Sequence, residues 1–463
     1  MTDPVGVLGE IAAAKRQELA VRFDGVSLDA LRSEARITRR SLVEAIARPG
    51  SSFILEIKKA SPSAGAIRSG ADSAAIARGY TGVADAISVL TDGKYFGGST
   101  KDLSAAREAF DGPILAKDFF IDQRQVVEAR LAGADAVLVM LSLLGDAEAR
   151  EIIEEARRLR MDVLVEVHEE REMHRALALG APLIGINNRD LRDLSIDLST
   201  TERLARLARG RLLISESGIE GRADIDRLSG HVSGFLVGSA LMRSQSPAEA
   251  ARELVFGRVK LCGLTSADDV RAGRAATFAG FVFVPGSFRH LSAEQAAPLA
   301  GLARFFGIKA VGVFRDAPLT VVADIATLLN LEAVQLHGRE EVEYVRSLRR
   351  QLPSSCEIWT SVSVGRERLA RRGGDRILFD NGSGGTGRAF DWDVVRQHPD
   401  LGEAIVAGGI GPHNARGASG LGAYAIDVGS ALDVVPGLKS PVKTRALFDA
   451  LRPACREQLR LCA

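Results

Sequence analysis

The sequence predicts an α/β protein built as two consecutive (β/α)8 TIM barrels, the first carrying an N-terminal helical extension. Three observations carry this reading. Eight short apolar runs alternate with amphipathic stretches between residues 53 and 239, a second set of eight follows between 258 and 430, and the pentapeptide VGSAL ends both sets, at 237–241 and at 428–432. The pairs Gly218-Ile219 and Gly409-Ile410 share the same offset of 191 residues (409 − 218, as for 428 − 237), so the two halves finish alike.

In chain order, about 50 residues of helical pattern come first. The first set of runs is FILEIK (53–58), AISVLTD (86–92), PILAKDF (113–119), AVLVML (136–141), DVLVEV (162–167), LIGINN (183–188), LLISES (212–217) and GFLVGS (234–239). Helical stretches separate them, such as 122-DQRQVVEARLAG-133, which opens on an Asp cap and closes on glycine. Apolar strands spaced by helices are parallel strands covered on both faces, and eight of them close a barrel. The second set is RVKLCG (258–263), GFVFVPGS (280–287), IKAVGVF (308–314), AVQLHG (333–338), EIWTSV (357–362), RILFDN (376–381), EAIVAGG (403–409) and AYAIDVGS (423–430). A chain of 463 residues suits two such units. The join near Phe256-Gly257 has no Pro/Ser-rich linker, which sets the domains at 1–256 and 257–463.

Composition narrows the function classes. With 60 basic against 59 acidic residues there is no overall field to recruit nucleic acid or an anionic membrane, although a local phosphate pocket is compatible with it. The N-terminus lacks an apolar signal core, and no uninterrupted apolar run reaches the roughly 18 residues that span a bilayer. A cytoplasmic protein is expected. Cys262, Cys356, Cys455 and Cys462 are too scattered for a disulfide framework or zinc cluster, and the histidines show no paired-ligand spacing, so neither metal nor cofactor is expected.

The chemistry gathers where the strands end. In FILEIKKASPS, period-two alternation sets Glu56 and Lys58 on one face near the catalytic end of the first strand. The same end of later strands offers Lys117, Glu166, Asn187 with Arg189, and Glu216 with Ser217. Burying charge is costly unless it is paired or used, and clustered Lys and Glu supply an acid and a base in one pocket. In the second set Cys262 ends the first strand, Arg289 follows the second, and Asp380 ends the sixth, placing a thiol and a carboxyl across a common mouth. After strands seven and eight, Gly218, Gly238 and Ser239 in the first barrel and Gly409, Gly429 and Ser430 in the second have the makings of phosphate sites. The run 382-GSGGTG-387 lacks the Lys-Ser/Thr of a P-loop and does not open a βαβ unit, which excludes an ATP or dinucleotide site. Other readings stay open. Lys117 also suits a Schiff-base nucleophile acting on a sugar phosphate, and the second barrel also suits a phosphate-binding scaffold without activity.

LEIKKASPS, LAKDFF, VEVH, GINNRDL, ISESGI and FLVGSALM resemble the indole-3-glycerol-phosphate synthase family over residues 1 to about 256. KLCGLT, GFVFVPGSFRHLS, AVQLHG, LFDNGSGGTGRAFDW, VAGGI and DVGSALDVVPGLK resemble phosphoribosylanthranilate isomerase over the remainder. The resemblance implies two consecutive steps of tryptophan biosynthesis on phosphorylated small-molecule substrates, in a monomer with an intramolecular barrel-barrel interface. It makes Lys117 a general acid, Glu166 the other central acid/base group, and Glu56, Lys58 and Asn187 positioning and charge-stabilising residues. Lys58, Ser61, Arg189, Ser217, Gly218, Gly238 and Ser239 match its carboxylate and phosphate contacts, with Glu216 beside them. In the second barrel Cys262 matches the general base, Asp380 the general acid and Arg289 the anthranilate contact, with Gly387, Gly409, Gly429 and Ser430 as further binding residues. Two positions depart from the family: Phe288 replaces proline in Ser-Pro-Arg, and Thr360 stands where relatives often have lysine.

Overall fold

The computed structural model describes residues 7–364, 372–381 and 390–455, and Gly387 lies outside them. The chain divides into two compact units, Met1–Ala251 together with the chain from Pro453 onward, and Arg252–Arg452.

In the first unit three helices, Val7–Arg22, Leu28–Glu34 and Leu42–Ile46, precede the barrel. Its strands are β1 (Ser52–Ile57), β2 (Ala86–Leu90), β3 (Ile114–Lys117), β4 (Ala136–Met140), β5 (Asp162–Val167), β6 (Leu183–Asn187), β7 (Leu212–Glu216) and β8 (Gly234–Val237), closed in that order by pairing of β8 with β1. Every pairing is parallel, and both faces of each strand are buried apart from a few terminal residues. That explains the near-continuous apolar runs. The helix expected after residue 122 spans Gln123–Leu131 with a reciprocal capping box between Asp122 and Gln125. It stops at Gly133, whose φ of 106° is a conformation that side-chain-bearing residues rarely take. The returning C-terminal segment is tied to this unit, the Ser51 N–H donating to the Pro453 carbonyl at 3.1 Å.

The second unit repeats the plan with β9 (Val259–Cys262), β10 (Phe278–Val282), β11 (Lys309–Phe314), β12 (Ala333–Leu336), β13 (Glu357–Ser363), β14 (Arg376–Asp380), β15 (Ile405–Val406) and β16 (Ala425–Val428), closed by β16 on β9. Its interior is plugged by one side chain from almost every strand, among them Phe278, Val311, Trp359, Leu378 and Ile405, with the Phe278 and Trp359 rings edge to face at 5.2 Å. Two strands depart furthest from the expected limits. The second strand begins at Phe278 and ends at Val282, because the Pro285-Gly286 turn, with Gly286 at φ +80°, ends the extended run early. The seventh is only Ile405–Val406, since Gly408 and Gly409 both take positive φ and turn the chain away. A two-stranded ribbon, Asp433–Val435 with Leu438–Lys439, follows β16. No helix among the described residues is long and apolar enough to cross a membrane.

Candidate active sites

Alternation along the strands turns Glu56, Lys117, Glu166, Asn187 and Glu216 toward the inside of the first barrel, at its C-terminal mouth. A cavity there is lined by Glu56, Lys58, Ser61, Lys117, Glu166, Asn187, Arg189, Ser217, Gly218, Gly238 and Ser239. The residues predicted from sequence are thus brought together. Glu216 is wholly buried beneath them.

An ion network organises this mouth. Lys58 Nζ is 2.8 Å from Glu56 Oε1, while Lys117 Nζ lies 3.4 Å from Glu56 Oε2 and 2.8 Å from Glu216 Oε2. Burial by itself would raise the Glu56 carboxyl, but Lys58 and Lys117 outweigh it and hold it at about 2. For Lys117 burial works against the charged form, yet Glu216, Glu56 and Glu166 push it above the ordinary lysine range. Glu216 receives less help: burial, with Glu166 and Glu56 nearby, outweighs Lys117 and raises it to about 7. Among the described residues Glu166 Oε1 and Glu216 Oε1 are buried without hydrogen-bond partners, with His168 Nε2 lying 3.5 Å from Glu166 Oε1.

Glycines make room for these carboxylates. A Cβ on Gly185 would fall 2.0 Å from Glu216 Oε1, and one on Gly238 would fall 2.3 Å from Glu56 Oε1. The turn after β7 is held by Asn188, whose amide donates at 3.0 Å to the carbonyls of Glu216 and Ser217. Ser217 needs such support, having a φ of 64° without being glycine.

Sequence reasoning missed several neighbours. Phe96 and Phe119 line the cavity with ring centroids 6.1 Å apart, and Leu8 and Ile11 reach it from the first helix. That helix is anchored by Lys15, whose buried ammonium lies 2.7 Å from Asp92 and 3.0 Å from Asp118. The signal was available in part: Leu8, Ile11 and Lys15 fall at i, i+3 and i+7, one helical face.

In the second barrel Cys262, Arg289, Asp380, Gly409, Gly429 and Ser430 line one cavity. Gln335, His337 and Asp427 join them, none of which was singled out from sequence although AVQLHG and AIDVGS alternate in the required way. Asp380 Oδ1 accepts the Asn381 N–H at 2.7 Å, and His337 Nε2 lies 3.3 Å from Asp380 Oδ2. Arg289 is gripped by Asp433, and Asp433 in turn accepts from Lys439 at 2.7 Å. Gly263 lets the arginine pass, since a Cβ there would meet Arg289 Cδ at 2.2 Å. Of the two departures, Phe288 is 84% exposed and Thr360 is buried, its hydroxyl without a hydrogen-bond partner among the described residues. Among the described residues there is no group of three or more His, Cys, Asp or Glu placed to hold a metal ion.

Residues 8–254 match the family model of indole-3-glycerol phosphate synthase, and residues 259–450 match that of N-(5'phosphoribosyl)anthranilate (PRA) isomerase. The chain belongs to both families. Relatives match along nearly the whole chain: the tryptophan biosynthesis protein TrpCF of Salmonella typhi is 42% identical over 451 residues, covering 96% of this chain and 99% of that one. The protein of the same name from Yersinia pestis is 42% identical over 447 residues, with 96% and 92% covered. Among solved structures, the phosphoribosyl anthranilate isomerase of Thermus thermophilus is 33% identical, covers 42% of this chain and 98% of its own, and superposes with a TM-score of 0.38.

Proposed function

We propose that the chain, a bifunctional enzyme of tryptophan biosynthesis, performs its two consecutive steps with the residues gathered at the two mouths. The isomerase barrel, within 257–463, converts N-(5-phosphoribosyl)anthranilate to 1-(2-carboxyphenylamino)-1-deoxyribulose 5-phosphate. Asp380 protonates the ring oxygen, the ribose opens, and Cys262 removes the proton from the adjacent carbon; Arg289, held by Asp433, receives the anthranilate carboxylate. Gly409, Gly429 and Ser430 receive the phosphate.

The synthase barrel, within 1–256, closes the indole ring of that product with loss of CO2 and water. Lys117 gives its proton to the substrate carbonyl oxygen, which leaves as water, and Glu166 serves as the second acid/base group. Glu56, Lys58 and Asn187 position the substrate; Ser61, Arg189, Ser217, Gly218, Gly238 and Ser239 take its carboxylate and phosphate. The Lys117 ammonium lining the cavity, 2.8 Å from Glu216 and 3.4 Å from Glu56, carries this reading. A Schiff-base nucleophile needs the opposite, an amine whose proton is easily lost. Membership of residues 259–450 in the isomerase family likewise disfavours the reading of the second barrel as an idle scaffold. We further propose a cytoplasmic monomer that needs no metal or cofactor.

The test uses the full chain. Lys117→Met is expected to lower synthase turnover about 1,000-fold, the scale of a lost general acid, while isomerase turnover stays at its wild-type value. Cys262→Ala should do the reverse. Retained synthase activity in the lysine variant would overturn the assignment.

A further inference from the structure

We propose that Lys260 is a positioning residue of the isomerase barrel, its buried ammonium holding the Cys262 side chain ready to accept a proton. The assignment rests on three strands. Lys260 and Cys262 are two residues apart on β9 and so point inward on the same face, the thiol at the cavity and the lysine one layer below it. Asp427, in register with Lys260 on neighbouring β16, takes the ammonium at 2.7 Å. On the other side β10 supplies Gly280, in register with Cys262, where a Cβ would lie 3.1 Å from Lys260 Cε and 3.2 Å from its Nζ. The barrel interior is therefore shaped around this side chain.

A lysine wholly shielded from water is costly unless its charge is used. One carboxylate neutralises it, and the ammonium sits beside the cysteine: the Cβ position of Gly280 is 3.2 Å from Lys260 Nζ and 3.1 Å from Cys262 Cα. Burial pushes that thiol up and Asp427 adds to it, while Lys260, and more weakly Lys439, pull it down. Lys260 is thus the main group that favours a thiolate at the point where a base is needed, without itself lining the cavity.

This inference deepens the isomerase assignment, so the test separates the two. Iodoacetamide alkylation of the Cys262 peptide, followed by mass spectrometry in the full chain without substrate, reads the thiol directly. Lys260→Met is expected to shift the alkylation profile upward by one pH unit or more and to slow alkylation at least tenfold near neutral pH. Lys260→Arg should restore most of the rate. Isomerase kcat should fall with the same upward displacement of its pH profile while KM changes little. Because Lys260→Met leaves Asp427 buried and unpaired, Lys260→Met/Asp427→Asn removes both charges, and its profile should also lie above that of the wild type. A wild-type alkylation profile in either variant would overturn the proposal. A shifted profile with unchanged isomerase turnover would sustain the lysine–thiol coupling and overturn Cys262 as the base.

Discussion

Lys117 and Glu216 meet at 2.8 Å in the mouth of the synthase barrel, the carboxylate fully buried and its second oxygen without a hydrogen-bond partner among the described residues. This pair sets up a proton relationship visible in stability. Burial and two neighbouring carboxylates raise Glu216 from 4.5 to about 7 in spite of Lys117. The folded protein therefore binds a proton there that the unfolded chain releases, and this contribution to stability, full below 4.5, is lost as pH rises toward 7. Glu216→Gln should remove that slope. Between pH 4.5 and 7.5 the denaturant midpoint of the wild type should fall relative to that of the variant, and parallel curves would contradict the assignment.

Gly238→Ala places a methyl group 2.3 Å from Glu56 Oε1. The carboxylate must swing away from Lys58 and Lys117, which disturbs the network by about an ångström. Synthase kcat/KM is expected to drop about 100-fold, as for comparable misplacements of catalytic groups, with isomerase kcat/KM unaltered. Steady-state assays of both reactions on one preparation check this.

Lys15→Met leaves Asp92 and Asp118 buried without the cation they share. Breaking a buried ion pair from one side costs on the order of 3 kcal/mol, enough to release the first helix from the barrel. Amide exchange over residues 7–22 should accelerate, and synthase KM should rise because Leu8 and Ile11 leave the cavity.

Gly263→Ala strikes the isomerase instead. Gly263 has φ +76°, and a Cβ there meets Arg289 Cδ at 2.2 Å. Displacing the guanidinium removes the charge-assisted contact proposed for Arg289, so isomerase KM should increase about tenfold or more. Synthase kinetics on the same sample serve as the control.

Most of the fold was legible because parallel barrel strands, buried on both faces, announce themselves as apolar runs, and Lys117 or Glu166 stand out within them. The strand ends whose polar side chains line the two cavities were legible for the same reason. Legibility failed where a residue's use depends on a partner distant in sequence. Lys15 reads as one charge on an ordinary helix until Asp92 and Asp118 surround it, and Asp433 reads as part of a turn until it grips Arg289. Glycine shows the same limit: Gly185 and Gly280 look like weak points in strands, whereas each vacates the volume another side chain occupies.

From sequence alone came the two barrels, their order, the strand ends that carry ionisable groups, and the family resemblance, since alternation and repetition are local properties of the chain. Tertiary structure alone decided which charges pair, which carboxyl is pushed up toward neutrality, and which buried lysine stands under the thiol. Coulomb interaction and desolvation act through space, over distances of a few ångströms that strand register sets and residue number does not.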